Sequence, residues 1–124
     1  MPKILVVDDE QRIADILEKY LSLNGFEVIK AIGGEAAVKI LNSDAKPDMM
    51  VVDMKMPKVN GMAVIRMVKE LGKEFPIVLL TGSIDAQIYL DELKKSGFSE
   101  EDVLYKPVDL PVLLAKVKEK LGIA

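Results

Sequence analysis

Two residue types that often carry catalysis are absent from this sequence. Its 124 residues include no cysteine and no histidine. The missing cysteine excludes disulfides, thiolate nucleophiles and cysteine-ligated metals. Without histidine, a nucleophile or general base must be an oxygen group or a lysine. No GxGxxG or GKS/T loop is present, so nucleotide sites of those types have no support.

Long hydrophobic runs are also missing. No apolar segment reaches the length needed to cross a membrane, and the N-terminus MPKILVVDDE turns acidic too early for a secretory signal. The net charge of −3 argues against non-specific nucleic-acid binding, because such binding uses a basic surface. We therefore expect a cytoplasmic protein that contacts neither a membrane nor nucleic acid directly.

The composition is that of an ordinary globular domain. Hydrophobic residues make up 50% of the chain and charged residues 30%, which is enough apolar material for a core. No linker or low-complexity segment divides the sequence. We expect one domain over residues 1–124, with no output domain.

Short apolar runs and helical repeats alternate along the chain. The runs rich in β-branched residues predict five strands: Lys3–Val7, Glu27–Ala31, Met49–Asp53, PIVLLTG and VLYKP. Apolar spacing predicts five helices: from Ile13 to near Asn24, in GGEAAVKILN, over Gly61–Leu71, in DAQIYLDELKKSG and in DLPVLLAKVKEKLG. Asp109 is a plausible N-cap of the last helix, with Pro111 in its first turn.

This alternation predicts an α/β fold, a doubly wound five-stranded parallel sheet. Strands that alternate with helices pair in parallel through right-handed crossovers, with helices on both faces. The residues leave the strand order open, and the flavodoxin-like order 2-1-3-4-5 is one of two common choices. Ligands of such folds bind beyond the carboxyl ends of the strands.

Polar residues follow four of the five predicted strands. The residues at the strand ends are Asp8, Asp9 and Glu10, then Gly33 and Gly34, then Asp53, then Thr81, Gly82 and Ser83, then Lys106 and Pro107. Clustered carboxylates ionise together only when positive charge lies among them. Lys106 supplies one charge, and Mg²⁺ suits the rest because it prefers carboxylate oxygens. An aspartate can accept a phosphoryl group, while a metal and a lysine neutralise the phosphoryl oxygens.

Four segments around these strand ends resemble the corresponding segments of a known family. VVDDE, VVDMKMPKVNGM, VLLTGS and YKP occur in the order and rough spacing of bacterial response-regulator receiver domains. The most specific is DMKMPKVNGM, because Pro57 and Gly61 follow Asp53 by four and eight residues. The whole chain resembles a single-domain receiver of two-component signalling. The resemblance implies the flavodoxin-like (βα)5 fold with strand order 2-1-3-4-5.

The resemblance also implies roles for individual residues. Asp53 would accept the phosphoryl group, and Lys106 would pair with it. Thr81 would be the switch hydroxyl that moves towards the phosphoryl group. The Lys106–Pro107 peptide bond would be cis.

A metal site is implied at the same place. Asp8, Asp9, Asp53 and the backbone carbonyl of Lys55 would bind Mg²⁺, for which Mn²⁺ could substitute. Without the family context, Asp8 and Asp9 could equally be an acidic pair favoured by the dipole of the first helix. We also hypothesise that the Lys55 side chain leans over an acyl phosphate and competes with attacking water.

The implied partner is a sensor histidine kinase or a histidine phosphotransfer protein. Phosphorylation would switch the surface of the fourth helix, fifth strand and fifth helix, which would bind a downstream protein. The chain would be a monomer or a weak phosphorylation-dependent dimer. It would be a switch that catalyses its own phosphorylation and dephosphorylation, not a turnover enzyme. Two other classes stay open: an unphosphorylated binding module and a metal-dependent phosphohydrolase.

The sequence departs from the receiver pattern in three places. Val103 stands where receivers often carry an aromatic residue coupled to the switch hydroxyl, and Tyr105 is predicted to point away from Lys106. Gly82 replaces a frequent alanine. The segment from Gly97 to Lys106 is about two residues longer than expected, and its SEED sequence predicts an extra helical turn capped by Ser99.

Overall fold

The computed structural model describes residues 1–82 and 90–123 as alternating strands and helices. The strands are β1 (Lys3–Asp8), β2 (Glu27–Ile32), β3 (Met49–Asp53), β4 (Ile77–Thr81) and β5 (Val103–Tyr105). The helices are α1 (Gln11–Leu23), α2 (Gly34–Leu41), α3 (Gly61–Glu70), α4 (described over 90–95) and α5 (Leu110–Leu121). None of the described helices is long and apolar enough to cross a membrane.

The five strands form one parallel sheet in the order β2-β1-β3-β4-β5. This confirms the doubly wound, flavodoxin-like prediction. In the register, Val7 lies beside Val52, and Asp53 lies beside Leu80. The carboxyl ends of β1, β3 and β4 therefore lie next to one another at the centre of the sheet.

Helices cover both faces of the sheet because its central strands are apolar on both sides. Successive side chains of a strand point to opposite faces. Accordingly, Leu5 and Val7 join the core beneath α2 and α3, whereas Ile4 and Val6 join the core beneath α1 and α5. The methionines Met49, Met50, Met54, Met56 and Met62 are buried in these two cores.

The element boundaries differ slightly from those predicted. β1 and β2 each extend one residue further, because Asp8 and Ile32 continue the ladder beyond the apolar runs. Within the segment GGEAAVKILN, α2 begins at Gly34, and Gly33 is its N-cap. The predicted helix in DAQIYLDELKKSG lies partly outside the described residues.

The segment between α4 and β5 contains the predicted extra turn. Residues Glu100–Asp102 form a 3₁₀ helix whose N-cap is Ser99. The Ser99 N–H donates a hydrogen bond to the Asp102 carboxylate over 2.8 Å. Asp102 also forms an ion pair with Lys120 of α5. This segment is thus tied to the last helix.

The start of α5 confirms the predicted cap. The Asp109 side chain accepts a hydrogen bond from the Val112 N–H over 3.1 Å, and Pro111 lies in the first turn. The preceding Lys106–Pro107 peptide bond is cis, as the family resemblance implied.

Removing this cap tests how much it stabilises the fold. Asp109→Ala leaves an N–H of the first turn without its partner, and we expect the free energy of unfolding to fall by about 1 kcal/mol. Urea unfolding measures the change. Asp44→Ala, at an exposed residue outside the helices, is the matched control and should change stability by less than about 0.5 kcal/mol. Equal losses in the two variants would contradict the capping role.

Candidate functional site

Three aspartates converge at the carboxyl ends of β1 and β3. Asp8 is fully buried, Asp53 is 3% exposed and Asp9 is half-buried. One carboxylate oxygen from each lies within 4.8 Å of the others. Backbone N–H groups hold two of them: Glu10 donates to Asp8 over 3.0 Å, and Lys55 donates to Asp53 over 3.2 Å.

Lys106 places an ammonium group against this cluster. Its Nζ lies 3.1 Å from Oδ2 of Asp53 and 3.4 Å from Oδ2 of Asp8. The lysine follows β5 directly, and its N–H donates to the Thr81 carbonyl over 2.8 Å. This backbone hydrogen bond continues the β4–β5 pairing and fixes where the long side chain begins.

Thr81 ends β4, the strand beside β3. Its side chain is nearly buried, at 3% exposure, and its hydroxyl donates to the Gly82 carbonyl over 3.2 Å. Gly82 lines the same cavity as Asp53. Thr81, the predicted switch residue, therefore lies at the same edge of the sheet as the aspartate cluster. Its hydroxyl is hydrogen-bonded to the adjacent residue in the chain.

Burial dominates the electrostatics of the site. Desolvation raises the pKa of Asp53 above its ordinary value, although the hydrogen bond and charge of Lys106 oppose this shift. The pKa of Asp8 is raised by burial as well, against the Glu10 N–H and Lys106. Burial lowers the pKa of Lys106, but the hydrogen bond and charge of Asp53 outweigh it, so the net shift is upward. Lys106 is therefore held in its charged form.

The cluster opens into a cavity of about 540 Å³. The cavity is lined by Asp9, Glu10, Asp53, Lys55, Met56, Pro57, Gly82 and Lys106. The Asp53 side chain is only 5% exposed, and it lines this cavity.

The residues fit a divalent cation. Three carboxylates and one ammonium leave the cluster with a net charge of −2 when all are ionised. Carboxylate oxygens are hard ligands of the type that Mg²⁺ prefers. Glu10, which precedes α1, is exposed and supplies no oxygen to the cluster.

The structure brings together five predicted site residues: Asp8, Asp9, Asp53, Thr81 and Lys106. Lys55 follows the cluster in the loop after β3, with its exposed side chain lining the cavity. Ser83, predicted to flank the site, lies outside the described residues. Gly34 was assigned no role from sequence, yet it contacts the loop that carries Lys55. The only sequence signal for that contact was a glycine pair at a strand end.

The fold and the site together define a doubly wound α/β domain with an acidic centre and a lysine at the carboxyl ends of its strands. The family model "Response regulator receiver domain" matches residues 4–118. The chain therefore belongs to the response regulator receiver family and is a receiver domain of two-component signalling. Receiver domains generally bind Mg²⁺.

Known relatives agree with this assignment. The chain is 34% identical to response regulator MprA of Mycolicibacterium vanbaalenii over 119 residues, which are 96% of this chain and 50% of that protein. It is also 34% identical to the alkaline phosphatase synthesis transcriptional regulatory protein PhoP of Bacillus subtilis, covering 94% of this chain and 47% of that one. The chain thus spans about half the length of the curated relatives it matches.

Solved receiver structures superpose closely. The Francisella response regulator 1452 receiver domain has a TM-score of 0.85 at 28% identity, with 98% of both chains covered. A response regulator receiver domain protein from Clostridium thermocellum has a TM-score of 0.86 at 29% identity, covering 98% of this chain and 95% of that one. This chain therefore shares its backbone fold with these receiver domains, although its sequence identity to them is modest.

The raised pKa of Asp53 predicts that its charge destabilises the metal-free fold. Between the ordinary value of 3.8 and the raised pKa, the folded state binds more protons than the unfolded state, so stability falls as pH rises. Above the raised pKa the full penalty is present. Asp53→Asn removes it, and we expect the variant to unfold at higher urea concentration than wild type at neutral pH without Mg²⁺.

The difference should narrow as pH falls through the raised pKa and vanish below 3.8. Asp15→Asn is the control: Lys30 and Gln11 hold the pKa of this exposed carboxyl below its ordinary value, so its loss should not stabilise the protein. Urea midpoints across this pH range measure both effects. Equal neutral-pH midpoints for wild type and Asp53→Asn would refute the penalty.

Proposed function

We propose that this receiver domain accepts a phosphoryl group on Asp53 from a phosphohistidine partner, in a Mg²⁺-dependent step. The observation that carries the proposal is the placement of Asp53. Its carboxylate ends a buried strand, belongs to the three-aspartate cluster, lies 3.1 Å from Lys106 and faces an open cavity.

The reaction follows from those groups. An Asp53 carboxylate oxygen attacks the phosphorus of the phosphohistidine, forming an acyl phosphate while the bond from phosphorus to the imidazole nitrogen breaks. The nitrogen keeps the electron pair of that bond. Lys106 stabilises the ionised carboxylate beforehand and neutralises charge on the transferring phosphoryl oxygens. These 124 residues contain no histidine, so the phosphohistidine lies outside them.

The metal would be held by Asp8, Asp9, Asp53 and the backbone carbonyl of Lys55. When bound, Mg²⁺ would supply positive charge for the phosphoryl oxygens, and Mn²⁺ could replace it. Before phosphorylation, Lys106 is shared between Asp53 and Asp8. The arrival of positive charge at Asp8 would leave Lys106 available to the phosphoryl group.

Thr81 is the proposed switch residue. Its hydroxyl would leave the Gly82 carbonyl and donate to the new phosphoryl oxygen. The change would reach the surface formed by α4, β5 and α5, where a downstream protein would bind. The domain would then act as a switch that phosphorylates and dephosphorylates itself, rather than as a turnover enzyme.

Two other functions have weaker support. A phosphohydrolase with an aspartyl intermediate typically carries an acid/base aspartate two residues after its nucleophile, and Lys55 occupies that position. A turnover assay on phosphate esters separates this class. An unphosphorylated binding module would have no use for the complete set of Asp8, Asp9, Asp53 and Lys106. The histidine kinase or phosphotransfer partner, the cytoplasmic location and the monomer or weak dimer stay predictions.

Labelling with a small phosphodonor tests the proposal. We expect acetyl phosphate with Mg²⁺ to add one phosphoryl group to the protein, detected by intact mass spectrometry, and EDTA to abolish it. Asp53→Asn should remove the label, because the amide cannot form the acyl phosphate. Asp48→Asn, at an exposed residue before β3, should label normally. Mg²⁺-dependent labelling that survives Asp53→Asn, or no labelling of wild type, would refute the proposal.

The lifetime of the acyl phosphate tests Lys55. Its side chain lines the cavity beside Asp53, where it would compete with attacking water. If this contact raises the barrier by about 1 kcal/mol, Lys55→Ala would hydrolyse roughly fivefold faster. Loss of label after donor removal gives the rate. Lys58→Ala is the matched control, since it alters an exposed lysine of the same loop that does not line this cavity. An unchanged rate in Lys55→Ala would end the hypothesis.

A further inference from the structure

The loop between β3 and α3, residues 54–60, passes unusually close to the first residue of α2. A Cβ atom on Gly34 would lie 2.2 Å from the Val59 carbonyl oxygen, 2.7 Å from the Val59 Cβ and 2.8 Å from its Cγ1. The absence of a side chain is therefore what allows Val59 to occupy its place. Gly34 itself is buried, and Val59 is partly buried.

The same loop is sharply bent one residue before this contact. The Val59 N–H donates to the Pro57 carbonyl over 2.8 Å, and the intervening Lys58 has a φ of +64°. Together these define a γ-turn with positive φ, a conformation that is unfavourable for a residue carrying a side chain. Such a turn persists only where its surroundings hold it. Val59, which packs against the core beneath α2 and α3, is the neighbouring residue that anchors it.

The other end of the loop is bound to the functional site. The Lys55 N–H donates to Asp53, and the Gly61 N–H donates to the Met54 carbonyl over 3.0 Å. Met54 and Met56 are buried, so the first part of the loop has little room to adjust. Only three residues separate Lys55 from Val59. A displacement of Val59 must therefore be taken up close to the Lys55 backbone.

We propose that Gly34 is a positioning residue for the metal site: by accommodating Val59, it fixes the loop that presents the Lys55 carbonyl to Mg²⁺. This inference rests on the proposed Mg²⁺ site. Gly34 has no side chain that could offer a ligand atom, and it lies in α2, which carries none of the proposed ligands. Its action is steric and reaches the metal through the loop backbone.

Gly34→Ala tests the proposal by adding one methyl group at the contact. Residues that orient metal ligands typically change affinity by 10- to 100-fold, and we expect Mg²⁺ to bind about tenfold more weakly to the variant. Calorimetric titration of the purified protein with Mg²⁺ measures this change. In ¹⁵N spectra without metal, the amide signals of Lys55 and Val59 should both shift, because the loop has moved.

Gly72→Ala is the matched control. Gly72 follows α3 with a φ of +70°, and no atom lies within 4 Å of the position its Cβ would take. Alanine there strains the backbone but pushes nothing, so Mg²⁺ affinity should stay within about twofold of wild type. Gly34 has no positive φ, so alanine at that position acts through the contact with Val59 alone.

Val59→Ala provides a second test that does not depend on the folding of Gly34→Ala. It removes the methyl groups that rest on Gly34 and should also weaken Mg²⁺ binding, by several-fold. Affinities equal to wild type in the folded variants, or weaker binding of Gly34→Ala with an unshifted Lys55 amide, would overturn the role of Gly34. A wild-type protein that binds no Mg²⁺ would overturn the proposed metal site itself, which separates the two failures.

Discussion

The contact on which this site depends is the pair of ion pairs that Lys106 makes with Asp53 and Asp8, over 3.1 and 3.4 Å. Two buried carboxylates so close together are unfavourable, and a single ammonium compensates them incompletely. Burial is the main cause of the upward pKa shifts of both aspartates, which Lys106 opposes without cancelling. In the proposed function, the remaining negative charge would favour the binding of a divalent cation. The excess negative charge of these three side chains therefore lowers the stability of the fold, and in the proposed function the same charge would attract the cation.

The sheet explains why this charge cluster can exist inside a small domain. Helices cover both faces, so the strands carry apolar side chains in both directions, and polar groups fit only beyond the strand ends. Parallel pairing brings the ends of β1, β3 and β4 to one edge. Lys106 reaches that edge from β5, where its N–H is already bonded to Thr81. The crowding of Asp8 and Asp53 is thus a direct product of strand order, with β1 and β3 as neighbours.

Local signals in the sequence predicted local features well. Asp109 was recognisable as a cap from its position before an apolar helix, and Ser99 from the acidic residues that follow it. Strand order was not derivable from the residues, because alternation fits more than one winding; the family resemblance supplied it. The γ-turn at Lys58 escaped prediction because lysine does not favour positive φ. The role of Gly34 escaped for a different reason: its close contact with Val59 is between residues distant in sequence.

Val103 occupies the position at which receivers often carry an aromatic residue, which bears on how the proposed switch would transmit a signal. Val103 is buried in the core beneath α2 and α3, so it offers no ring that could swing between solvent and interior. Tyr105, the aromatic residue of β5, is 51% exposed. Thr81 pairs with Tyr105 in the sheet, and the N–H of Lys106, the residue after β5, donates a hydrogen bond to the Thr81 carbonyl. In the proposed switch, a movement of Thr81 would act through this hydrogen bond on Lys106, the residue whose side chain bridges Asp8 and Asp53.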